Sequence, residues 1–155
     1  MRKFTSEPVP EELIETVLEA GRWAPSGLNN QPWRFAVIRD AGLRRAISEL
    51  THYPKIVLSA QVLIAVFLDT EKSYHREKDI QATGACLQNM LLEAHSLGLG
   101  AVWLGEIIRS NEQIKAVLGL TRELDLMAVV ALGLPGEKPK GVKRKPLADL
   151  VVSRK

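Results

Sequence analysis

Ala24-Pro25-Ser26-Gly27-Leu28-Asn29-Asn30-Gln31-Pro32-Trp33 is the stretch whose residue types and spacing best suit it to hold a ligand. Each of its two prolines lacks an N–H and restricts the residue before it, so neither a helix nor a strand continues through. Ser, Gly and Asn let backbone groups approach a partner closely and supply short donors. A helical pattern precedes the stretch and a buried-looking strand follows it, which sets the loop against the core. That favours a binding loop over a solvated connection.

Two further groups complement it. Arg2-Lys3 and Lys143-Arg144-Lys145 place cations at both ends of the chain, as a phosphate requires. Leu104-Gly105 closes a short strand pattern and offers backbone N–H groups. Taken together these pieces suit a flavin mononucleotide (FMN). Its ring has N–H and C=O edges for Ser26 to Gln31, and its N5 gains negative charge on reduction, where backbone donors help. Such chemistry rests on the cofactor, so no side chain is nominated as catalytic acid or base.

Other chemistries find little support. Cys86 lies in a helical pattern without a basic neighbour and reads as a core thiol. His52, His75 and His95 are isolated and lack the spacing of metal ligands, so no metal is expected. No G-x-G-x-x-G, P-loop or G-x-S-x-G motif occurs. Asp69 and Asp79 flank a polar connection, with nothing to pair them as acid and base.

The elements that must position these residues follow from periodicity. Pro10 opens a helix whose stripe is Leu13, Ile14, Val17, Leu18 and Gly21, ending near Trp23. Arg34–Arg39 reads as a strand and Ala41–Thr51 as a short helix. Val62–Leu68 is an uninterrupted apolar run and belongs mid-sheet with both faces covered. Asp69–Lys78 reads as a polar connection. Asp79–Leu97 is a long helix, with Ile80, Gly84, Leu87, Leu91 and Ala94 on one stripe and an apolar arc wide enough to bury it. Ala101–Leu104, Asn111–Leu118 and Met127–Leu132 give a strand, a helix and a strand. The expected class is α+β: a sandwich of helices over a central sheet.

At 155 residues, with 46% hydrophobic and 25% charged residues, the chain makes one soluble domain over 1–155. A single cysteine excludes an intramolecular disulfide and points to the cytoplasm. No apolar run reaches membrane-helix length. The net charge of +3 is concentrated in a basic extension, 137–155, where seven Lys/Arg meet two acidic residues. The remainder holds 14 basic and 16 acidic side chains. A body that is net negative, with 5% aromatic residues, argues against nucleic acid as partner.

The chain resembles the nitroreductase family of FMN-dependent oxidoreductases. The resemblance is carried by Arg2-Lys3-Phe4, by Pro25 to Phe35, by Gly98-Leu99-Gly100-Ala101-Val102-Trp103-Leu104-Gly105, and by Lys143-Arg144-Lys145-Pro146-Leu147. It implies a mostly antiparallel central sheet and a homodimer with a flavin at each end of the interface. It also implies a C-terminal tail docking on the dimer partner. Pro25, Ser26, Gly27 and Asn29 match the loop that reaches the neighbouring subunit's flavin, with Gln31 beside them. Leu104 and Gly105 match the backbone pair facing N5 and O4. Arg144, with Lys143 beside it, matches a phosphate-binding arginine, and Arg2, with Lys3, matches the end of an N-terminal basic motif. The resemblance implies NADH or NADPH as donor, a small-molecule nitro, quinone or similar acceptor, and ping-pong turnover. One departure is that the family's earlier N-terminal arginine and serine have no counterpart before Arg2. That leaves a flavin-binding protein without efficient turnover as the alternative. The short charged stretch Glu71–Lys78 implies an open substrate face.

Overall fold

A computed structural model describes residues 1–121, 123–138 and 141–155. Four strands form one sheet in the order β1-β2-β4-β3: β1 (Trp33–Ile38), β2 (Val62–Asp69), β3 (Gly100–Leu104) and β4 (Leu124–Gly133). All three pairings are antiparallel, with a bulge in β2 between Val66 and Phe67. All eight residues of β2 are buried, as its unbroken apolar run predicts for a strand covered on both faces.

The helices supply those covers. One face of the sheet packs α1 (Glu11–Arg22) and α4 (Arg76–Ser96) around Ile14, Val17, Cys86, Leu87 and Met90. The other packs α2 (Ala41–Ser48), α3 (Pro54–Ser59) and α5 (Asn111–Val117) around Ile47, Val57, Phe67 and Ile114. Each layer buries one amphipathic stripe, which gives the expected α+β sandwich. Among the described residues no helix is long and apolar enough to cross a membrane.

The close fit of α1 on α4 depends on Gly21. A Cβ there would lie 2.8 Å from Met90 Cγ and 3.1 Å from Cys86 Sγ. Gly21→Val should therefore cost about 1–3 kcal/mol by overpacking. A lower urea midpoint at unchanged slope would report it, and an unchanged midpoint would contradict the packing.

Two expectations need correction. The long helix starts at Arg76, so the polar connection after β2 shrinks to residues 70–75. Its buried face is Asp79, Ala82, Thr83, Cys86, Leu87, Met90 and Ala94; of the expected stripe Leu87 and Ala94 are buried and Leu91 packs against the core, whereas Ile80 is exposed, as is Leu92. Apolar residues on both sides of this helix made it look fully enclosed, yet only one side meets its own chain. Residues 141–155 of the basic extension find no cover on their own body. All of 141–155 is exposed, including Leu147, Leu150 and Val152.

Candidate functional site

The loop after α1 is held by polar contacts, which explains its amide-rich sequence. Leu28, Asn29 and Gln31 all take positive φ (55°, 53° and 46°), a cost that the surrounding contacts must offset. Gln31 N donates to Ser26 Oγ (3.1 Å), and Gln31 Nε2 donates to the Asn29 carbonyl (3.1 Å). Arg34 Nη1 donates to the Gln31 carbonyl (3.0 Å), while its Nη2 pairs with buried Asp69 (2.8 Å). Ser26 and Gln31 thus brace the loop from within.

Asp79 anchors it from below, a role that sequence inspection missed. This fully buried carboxylate accepts from Asn30 Nδ2 (2.8 Å), Ser73 Oγ (2.7 Å), Tyr74 N (3.1 Å) and His75 N (3.3 Å). Burial works to raise its pKa, but the four hydrogen bonds outweigh it and leave the carboxyl below its ordinary value. One side chain therefore ties the loop, the 70–75 connection and the start of α4 together. The result is a cavity of about 350 Å³ edged by Pro25, Ser26, Gly27, Tyr74 and Lys78.

A second cavity, of about 190 Å³, lies where β3 ends. Arg2, Trp103, Leu104, Gly105 and Glu106 line it, with Tyr53 at its side. Arg2 arrives there because Phe4 is buried against Gly133 and bridges Pro135, while Thr5 N donates to the Leu134 carbonyl (3.0 Å). Gly136 N donates to the Lys3 carbonyl (2.9 Å), so exposed Lys3 is fixed by its backbone. Glu106 holds the turn after Gly105. Its Oε2 accepts from Thr51 Oγ1 (2.9 Å) and His52 N (3.3 Å), and its Oε1 pairs with Arg109 Nε (2.8 Å). Burial pushes its pKa up, and these partners more than reverse that.

The candidates thus divide into two groups. Arg2, Leu104 and Gly105 share one cavity; Pro25, Ser26 and Gly27 share the other; no residue lines both. Asn29 and Gln31 support the loop without lining a cavity. Lys143 and Arg144 are exposed on the extension and line neither. At about 190 Å³ this cavity is smaller than the roughly 300 Å³ at which small-molecule pockets begin. Its donor set nevertheless fits FMN: a guanidinium for the phosphate and a strand end for the ring. A Cβ on Gly105 would meet nothing closer than Trp103 Nε1 at 3.4 Å, so the backbone there is open to a ligand. Cys86 is buried, with its thiol pushed up to about 12 by burial, and is inert. No group of His, Cys, Asp and Glu among the described residues could hold a metal.

Known proteins share this architecture. A nitroreductase family model matches residues 1–54 and 49–134. A Methanothermobacter thermautotrophicus protein is 36% identical over 90% of this chain and 74% of its own length. It carries the provisional name NADH dehydrogenase/NAD(P)H nitroreductase. A Desulfovibrio desulfuricans protein, provisionally named a nitroreductase and crystallised with FMN, superposes with TM-score 0.94. It is 48% identical and the match covers 99% of this chain and 90% of that one. The Vibrio harveyi NADPH:FMN oxidoreductase, solved with NAD+, gives TM-score 0.89 at 26% identity, covering 100% and 73%. With the sheet order and the two helical layers in place, and with the family model spanning most of its length, the chain belongs to the nitroreductase family.

Proposed function

We infer that the protein is an FMN-dependent oxidoreductase that passes electrons from NADH or NADPH to a nitro, quinone or similar electrophilic acceptor. The observation that carries this is the convergence of Arg2 with Leu104 and Gly105 in one cavity, in a chain 48% identical to an FMN-bound relative. When bound, FMN supplies the two-electron chemistry by which the nicotinamide is oxidised and the acceptor reduced.

The chain's own residues bind and orient. Arg2, Lys3, Lys143 and Arg144 neutralise the phosphate, arginine by charge-assisted and bidentate contact. The Leu104 and Gly105 backbone offers donors at N5 and O4, where charge develops. Pro25, Ser26, Gly27 and Asn29, braced by Gln31, close the ring's other edge from a second subunit. A homodimer is supported by apolar side chains that find no cover in their own chain: Leu28, Ile80, Leu92, Leu147 and Leu150. Its tail, exposed over 141–155, docks on the partner. The single cysteine suits a cytoplasmic setting.

Anaerobic stopped flow on the FMN-loaded protein tests the reading. NADH or NADPH should bleach the flavin band, and a quinone or nitroaromatic should restore it in a separate half-reaction. If both nucleotides fail while dithionite succeeds, the protein binds flavin without turning over. FMN itself should bind with a micromolar or tighter Kd, about 8 kcal/mol or more, and Arg144→Ala should weaken it.

A further inference from the structure

The loop cavity contains two groups that the cofactor does not account for. Tyr74 and Lys78 lie on its outer side, one before the start of α4 and one in its first turn. Tyr74 is held in place through its backbone, since its N–H donates to buried Asp79 (3.1 Å). Its hydroxyl lies directly over Gly27, where an added Cβ would come within 1.8 Å of Oη. Lys78 Nζ lies 5.6 Å from the Tyr74 ring centroid and forms no ion pair among the described residues. An ammonium-bearing side chain and a phenol therefore line a space whose other α4 residues are Gln81 and the small apolar Ala82 and Ala85.

Such a lining accepts a flat apolar body carrying one negative group. The ammonium gains a charge-assisted hydrogen bond, and the phenol supplies a second donor beside it. The alanines leave room for a ring but present no polar group to orient one. We propose that Tyr74 and Lys78 form an acceptor-recognition site that selects planar acceptors bearing a carboxylate or a comparable anionic group. The proposal rests on the flavin reading above, because the edge Pro25–Gly27 is where the ring is placed. The same anion chemistry could come from a phosphate of FMN or NADPH, and the test separates these sources.

The experiment compares 4-nitrobenzoate with neutral 4-nitrobenzyl alcohol in the parent, Lys78→Met and Lys78→Arg, all loaded with FMN. The parent should favour the benzoate. Lys78→Met should lose about tenfold in kcat/KM for the benzoate, mostly through KM, and less than about twofold for the alcohol. Lys78→Arg should recover most of the loss, which a merely structural lysine would not predict. The proposal is overturned if both substrates slow alike, or if FMN or NADPH affinity moves instead, since the cation would then serve a cofactor phosphate. Equilibrium dialysis of 4-nitrobenzoate against the protein gives a readout apart from turnover. Should the parent fail to bind FMN at all, the flavin reading falls by itself. Retention of benzoate over alcohol by the parent, and not by Lys78→Met, would still support the anion site, and equal or absent retention would overturn it.

Discussion

A one-to-one mixture of two inactive variants, Gly105→Pro and Gly27→Phe, should regain about a quarter of the parent's activity after their subunits are exchanged. Proline removes the strand-end donor, and a phenylalanine at 27 intrudes where even a Cβ would meet Tyr74 Oη at 1.8 Å. The two positions line separate cavities, so in the proposed dimer each lesion spoils a different half of a shared site. Random exchange makes half of the dimers mixed, and in each mixed dimer one of two sites combines both intact halves; hence roughly one quarter. Background activity in a mixture that demonstrably contains mixed dimers would mean that the site lies within one chain.

Asp79→Ala should be the most destabilising polar substitution in the molecule, at about 2–4 kcal/mol. It strips the acceptor from four donors, three of them in the 70–75 connection or the cap of α4 and one in the ligand loop. Leaving buried donors unpaired costs more than the hydrogen bonds are worth net. The pH dependence has a definite sign. The folded pKa of Asp79 lies below its unfolded value, so its contribution is complete above the unfolded pKa and is lost as pH falls through the folded one. Chemical denaturation between about pH 7 and pH 3 should show the parent weakening on acidification, and Asp79→Asn should remove part of that slope. A slope identical in parent and variant would detach Asp79 from the acid response.

What could be read from the sequence was whatever repeats. β2 and α1 were legible because an apolar run and an amphipathic stripe need no partner to be recognised. α3 was not, because Pro54–Ser59 is six residues with adjacent β-branched side chains and too short to show a period. The first residues of β4, Leu124 to Leu126, were missed because Asp125 interrupts them; its partner is Arg76 on a distant helix. The same limit applied to the site. Residue types marked Ser26 to Gln31 as a binding loop and Leu104-Gly105 as a strand end. Residue type alone marked neither Asp79 nor Glu106, which tie their own segments to partners 49 and 55 residues away. The bracing role of Gln31 and Ser26 likewise depends on three positive φ values that composition does not reveal.

The position of β2 between β1 and β4 has a consequence for how the protein is made. One edge of this strand, apolar from Val62 to Leu68, pairs with β1, already synthesised, but the other waits for residues 124–133. At about 5–20 residues per second that wait lasts on the order of 3–12 seconds. Throughout it the nascent chain exposes an unpaired hydrophobic edge, the surface that most readily joins neighbouring chains. Yield in cells should therefore depend on chaperone supply and on translation speed between codons 70 and 124, even when the finished protein is stable.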